Sequence, residues 1–184
     1  MHKGSERNPL LEGTGRQFFS RDTVKEVLPS ARSADSGSDI RGSGDDLHLW
    51  CHVDTSDDSW LSGEARVQPA SRAEWLDYYG PSGGQRVIRV SVGDIEALAQ
   101  VGTHAATSSA YVPCAPPGVP KYNASEPYAV VSQVSISGPA KAKGVPLRQT
   151  LTDIAYQLTQ HAYKLAECKD HRDFPQELPR YKER

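Results

Sequence analysis

Pro146-Leu147-Arg148-Gln149-Thr150-Leu151-Thr152-Asp153-Ile154-Ala155-Tyr156-Gln157-Leu158-Thr159-Gln160-His161-Ala162-Tyr163-Lys164-Leu165 carries the periodicity that organises the whole chain. Leu147, Leu151, Ile154, Leu158, Ala162 and Leu165 recur at steps of three and four, which lines apolar side chains along one face of an α-helix. Pro146 stands at the first helical position, where its missing N–H costs nothing. The pattern predicts that residues 147–168 form the longest helix, with Leu151, Ile154, Leu158 and Leu165 buried.

A helix with one apolar stripe needs a surface to lie on, and the chain before it supplies strands. In residues 47–53, Leu47, Leu49, Cys51 and Val53 share one face while His48, Trp50 and His52 share the other, the period-two signature of a half-buried strand. Residues 63–69, 86–92, 108–114 and 128–136 alternate similarly. Strands in the middle and the main helix at the end predict an α+β fold: a largely antiparallel sheet of about five strands, with the long C-terminal amphipathic helix packed on one face.

The remaining segments read as connections. Residues 22–28 are a short helix stopped by Pro29, and residues 72–79 another, with Ser71 and Glu74 forming a capping box. Residues 30–46, rich in Ser, Gly and Asp, read as a mobile loop. Residues 94–100 fit either a short helix or a strand, and residues 115–127 are a Pro-rich connection. The expected organisation is a tail over residues 1–20, one domain over 21–170, and a Pro-laced tail over 171–184.

Composition narrows the function classes. The chain has 184 residues, enough for one domain, and a net charge of −2, without the basic excess of a nucleic-acid binder. No apolar run approaches the ~20 residues of a membrane span, and no apolar signal core follows Met1. Cys51, Cys114 and Cys168 lie too far apart for the common zinc patterns. Counting alone allows three buried free thiols. The geometry favours a Cys114–Cys168 disulfide with Cys51 free and buried. Cys114 ends a strand on its inward face, and Cys168 sits about 60° from Leu165 on the helical wheel. Such a bridge implies an oxidising compartment.

No motif names a reaction. Gly80-Pro81-Ser82-Gly83-Gly84 matches G-x-S-x-G formally, but a helix precedes it and a strand follows, the reverse of a nucleophile elbow. His48 and His52 lie about 13 Å apart along a strand, too far to share one ion, and Cys51 points the other way. Asp35, Asp39, Asp45, Asp46, Asp57 and Asp58 lack calcium-loop spacing and read as solvated loops. His104, His161 and His171 are scattered, and Asn123-Ala124-Ser125 fits a glycosylation acceptor. The reading therefore names no catalytic residue, metal or cofactor. It leaves two candidate faces. One is His48, Trp50 and His52 on the outward side of their strand. The other is Tyr156 and Tyr163, with Thr159 and Gln160, on the side of the long helix away from Ile154. Tyrosines lying along a wet helix surface are the other account of that second set.

The run Leu47-His48-Leu49-Trp50-Cys51-His52-Val53, then Ala110-Tyr111-Val112-Pro113-Cys114, then a helix ending Leu165-Ala166-Glu167-Cys168, resembles extracytoplasmic domains of unknown function from actinobacteria over roughly residues 20–175. The resemblance implies a domain held to the membrane by an N-terminal anchor or lipid, although this chain carries neither an anchor nor an N-terminal lipidation cysteine. The resulting expectation is a non-enzymatic extracytoplasmic domain that binds a protein or small-molecule partner on one sheet face. A small hydrolase or transferase with a His/Asp site and a cytosolic interaction protein are the alternatives, with a cytoplasmic location if Met1 is the true start.

Overall fold

A computed structural model describes residues 18–81, 86–101, 106–119 and 127–182. The helix α1 (Arg21–Val27) leads into the strands β1 (Ala34–Arg41), β2 (His48–Thr55) and β3 (Trp60–Pro69). The helix α2 (Arg72–Tyr79) is followed by β4 (Arg86–Val92), β5 (Ile95–Val101), β6 (Ala106–Pro113) and β7 (Tyr128–Ser137), and the chain then enters α3 (Gly144–Leu165). The strands form one sheet in the order β1-β2-β3-β7-β6-β5-β4, antiparallel at every pairing. It consists of two meanders, β1–β3 and β4–β7, fused where β7 pairs with both β6 and β3.

The α+β architecture stands, with seven strands rather than about five. The first addition is β1. Residues 34–41 pair along β2 from Ala34↔Thr55 to Arg41↔His48, so they are not a mobile loop, and Asp35 and Asp39 sit on a strand. Their composition hides this because β1 is an edge strand whose side chains are nearly all wet, where β-propensity yields to context. The second addition is β5. It buries Ile95, Ala97, Leu98 and Ala99, and burial on both faces erases the alternation that would have told strand from helix.

Two helices cover opposite faces, and neighbouring serines on β6 show which. Ser108 Oγ accepts from Thr152 Oγ1 of α3 at 3.1 Å. Ser109 Oγ accepts from Trp75 Nε1 of α2 at 2.8 Å. Successive strand residues point to opposite faces, so α3 and α2 sandwich this part of the sheet. The α3 side holds the main core, including Leu49, Leu61, Val112, Val130, Val134, Leu151, Ile154 and Leu158. Leu165 is only partly buried. The backbone of β3 approaches closely at Gly63, where a Cβ would stand 2.8 Å from Leu158 Cδ1. Buried hydroxyls seat the helix: Ser132 Oγ donates to the Ala155 carbonyl at 2.8 Å and accepts from Thr159 Oγ1 at 2.7 Å.

The helix ends at Leu165, earlier than the expected 168, with Ala166 as its cap and Glu167 in the left-handed region at φ 55°. Cys168 therefore lies beyond the helix, and it is bonded to Cys114, while Cys51 is free and buried. The Pro-laced segment that follows lies against the outer side of α3. Tyr156 Oη donates to the Pro175 carbonyl at 2.6 Å, and Tyr163 Oη to the Asp170 carbonyl at 2.7 Å. The Tyr181 N–H donates to Gln149 Oε1 at 2.8 Å, Arg180 bridges to Asp153 at 2.8 Å, and Leu178 is buried. Residues 169–182 thus form a strap over the helix. At the other terminus, within the expected tail over residues 1–20, Phe18 packs in the core and Ser20 caps α1, while residues 1–17 lie outside the described residues.

Candidate binding face

The second sheet face is only half covered. Over β5, β6 and β7, α2 seats Trp75 among Leu98, Tyr111, Ala129 and Val131. Over β1, β2 and β3 none of the described helices lies on it, and this is where the sequence places His48, Trp50 and His52. The burial of β2 alternates as expected: Leu49, Cys51 and Val53 are buried, His48 and His52 half-buried, and Trp50 exposed.

The structure adds Trp60 to this set. Trp60 pairs with Asp54 across the β2–β3 hairpin, which sets it diagonal to His52. The His52 imidazole stacks on Trp60 with centroids 5.0 Å apart and planes 8° from parallel. Its other neighbour is Trp50 at 4.5 Å. Trp50 and Trp60 are each 37% exposed. Beneath the stack, Gly37 of β1 is the cross-strand partner of His52. A Cβ at Gly37 would stand 2.5 Å from His52 Cε1, so a glycine is what lets the imidazole lie over the edge strand. Trp60 was legible in principle: a turn centred on Asp57 closes the hairpin in this register.

One cross-strand row links the stack to α2. Asp39, Trp50, Glu64 and Gln133 are successive partners across β1, β2, β3 and β7. Tyr79 Oη of α2 donates to Gln133 Oε1 at 3.0 Å. Burial pushes the Tyr79 phenol up to about 12, the nearby charges of Tyr78 and Glu64 adding to the shift and that of Arg66 opposing it, so Tyr79 remains a donor at neutral pH. Beside the row, Arg66 Nη2 donates to Glu64 Oε2 at 3.1 Å, and His48 Nε2 stands 3.5 Å from the same oxygen. Between β3 and α2 runs a groove of about 390 Å³, lined by Glu64, Arg66, Gln68, Tyr78, Tyr79 and Gln133 among others.

The second candidate face does not exist as a surface. Tyr156 and Tyr163 are 3% and 5% exposed, their hydroxyls held by the strap and their rings against Phe174 at 6.2 Å and 5.2 Å. Thr159 faces the sheet through its bond to Ser132. Periodicity read the side of α3 that meets the sheet. The strap that buries the other side carries no periodic signal.

The other sequence candidates stay apart. Cys51 faces the core, on the opposite side of β2 from His48 and His52. Its thiol is pushed up to about 12 by burial, against the effect of its bond to the Gly63 carbonyl. Asp45 and Asp46 lie in a 3₁₀ turn, and Asp57 and Asp58 in the β2–β3 turn. His161 packs edge-on to Phe18 at 5.2 Å, and exposed His171 stands 3.4 Å from Asp173. Ser82, His104 and Asn123 lie outside the described residues. Among the described residues no three His, Cys, Asp or Glu side chains gather as a metal-holding group, and no helix is long and apolar enough to cross a membrane. No family model matches the chain, and neither the curated proteins nor the solved structures contain a match to it.

Proposed function

We propose that this chain is an extracytoplasmic binding domain, without catalysis of its own, that takes its partner on the open half of the sheet. The observation that carries the reading is the Trp50–His52–Trp60 stack, which leaves two tryptophans exposed together on the half of the face that α2 leaves bare. Exposed Trp is costly to keep wet, and Trp, Tyr and Arg are the side chains that carry most of the energy at recognition surfaces. All three occur along this face, and the row through Glu64 and Gln133 supplies the polar groups that orient a partner. The compartment rests on the Cys114–Cys168 bond, since cytosolic thiols stay reduced, and on the resemblance in layout to actinobacterial extracytoplasmic domains.

The test is a retention assay. The immobilised domain is challenged with the secreted and envelope fractions of its source organism, beside a Trp50→Ala/Trp60→Ala variant of matched melting temperature. The wild type retains a ligand and the variant loses it. Equal retention by both proteins would falsify the reading.

A further inference from the structure

We infer that the groove between β3 and α2 is a subsite for a neutral saccharide, and that the aromatic stack extends it across the sheet. This rests on the reading of the open half-face as a binding surface. The first observation is shape: about 390 Å³ of concave space falls in the range of small-ligand clefts, ~300–1,000 Å³.

The second is the polar complement. Glu64 Oε2 is engaged by Arg66, and the carboxylate lines the groove as an acceptor. Gln133 accepts from Tyr79 through Oε1, which leaves both hydrogens on its Nε2 to donate. Arg66 and Gln68 line the same space. Acceptor and donor side chains thus share one groove. A hydroxyl both donates and accepts, so a ligand with several hydroxyls satisfies such a set, and planar carboxylate and guanidinium groups grip vicinal pairs of them.

The third is charge. Glu64 and Glu74 both line the groove and oppose a phosphate or carboxylate ligand. Arg66 stands in the same wall and opposes an ammonium group in what would otherwise be an aromatic cage. A neutral ligand meets neither obstacle.

The fourth is the rings. Tyr78 stands 76% exposed at the rim, propped edge-on by Tyr79 at 4.6 Å. Trp50 is the cross-strand neighbour of Glu64. Aromatic faces carry negative charge density and attract the polarised C–H bonds of a sugar face. Tyr78, the Glu64–Arg66 pair and Trp50 therefore form a track from the groove towards Trp60, which suits an oligosaccharide better than a single sugar.

The experiment titrates the whole protein with neutral tetrasaccharides of β-glucose, N-acetylglucosamine, mannose and arabinose. Tryptophan fluorescence and calorimetry follow the binding, since Trp75 lines the groove and Trp50 adjoins it. At least one tetrasaccharide binds, and Tyr78→Ala and Glu64→Gln each weaken it by about tenfold with the melting temperature unchanged. A dextran sulfate and a lysine-rich peptide run in parallel, with hydrogen exchange over residues 48–66 as readout. Protection by either of these without any neutral saccharide binding overturns the saccharide assignment and keeps the face as a binding surface. Protection by no occupant overturns both. Saccharide binding indifferent to Tyr78→Ala and Glu64→Gln overturns the groove as its site.

Discussion

Cys168 is bonded to Cys114 with their Cα atoms 5.3 Å apart, and it reaches that position only because α3 ends before it. The left-handed turn at Glu167 carries the chain off the helix axis and back toward the end of β6. Immediately after the bond, the Lys169 N–H donates to the Ala115 carbonyl at 2.9 Å. The bond therefore anchors the root of the strap rather than the helix itself.

Opening that anchor destabilises the fold and frees the strap. The bond closes a loop of 54 residues, and the chain-entropy model gives about 4 kcal/mol for a loop of that length. The Cys114→Ser/Cys168→Ser variant should lose that much in a denaturant titration. Its hydrogen exchange should rise most over residues 169–182. Peptide mapping without reductant should recover the two cysteines in one linked peptide, and recovery as separately alkylated peptides would remove the bridge.

The strap contributes through Tyr181, which is buried and shares a hydrogen bond with Thr152 Oγ1 at 2.9 Å. Tyr181→Phe keeps the ring and removes one bond, while Thr152 still reaches Ser108, so it should cost about 1 kcal/mol. Tyr181→Ala empties the site and should cost ~3–5 kcal/mol, the range for a buried aromatic. Equal costs for the two variants would mean that the ring does not pack on α3.

Leu158 and Gly63 should couple. Leu158→Ala removes a side chain 1% exposed and should cost ~2–5 kcal/mol. Gly63→Ala pushes a methyl against Leu158 Cδ1, Phe19 Cζ and Cys51 Sγ and should cost about 1–3 kcal/mol by overpacking. In the Leu158→Ala background the same methyl has room, so a double-mutant cycle should show Gly63→Ala becoming less costly. Strict additivity would place Leu158 away from Gly63.

Alkaline pH should weaken the folded state. The Cys51 thiol is raised from 9.0 to about 12 by burial, and the Tyr79 and Tyr181 phenols from 10.0 to about 12. Between these values the unfolded chain releases protons that the folded chain keeps, so stability falls as pH rises from about 9 toward 12. Below about pH 8 the three groups contribute no slope. Iodoacetamide at neutral pH should leave native Cys51 unmodified and label it only in denaturant. Rapid labelling of the native protein would contradict its burial.

The ring stack should answer to Gly37. Gly37→Ala places a methyl on His52 Cε1 and turns the imidazole off Trp60, because the imidazole is the more mobile partner. Near-UV circular dichroism and Trp fluorescence should change while the melting temperature moves little. Unchanged spectra would mean that the stack does not rest on the edge strand.

The sequence by itself determined the elements whose burial is one-sided. Leu151, Ile154 and Leu158 place α3 on the sheet through a 3.6-residue period. The alternation of Leu49, Cys51 and Val53 against His48, Trp50 and His52 sets both faces of β2, and with them half of the candidate face. The pairing of Cys114 with Cys168 reads from the sequence as the meeting of a strand end and a helix end, whereas the structure makes the bond just beyond β6 and α3. Only the tertiary structure decided the rest, because there the burial is two-sided or comes from residues without a period. β5 is covered on both faces and reads as neither helix nor strand. β1 is polar and is held by the backbone of β2 more than by its own side chains. Tyr156 and Tyr163 look exposed until a strap of Pro, Asp and Arg residues, positioned by a disulfide and by bonds to its own carbonyls, lies over them. Gln133 and Tyr79 join the site only through the pairing of β3 with β7 and the crossing of α2, whereas Trp60 and Glu64 follow from the β2–β3 hairpin. A single stretch of chain does not encode that register, because strand partners are chosen by the packing of the whole core.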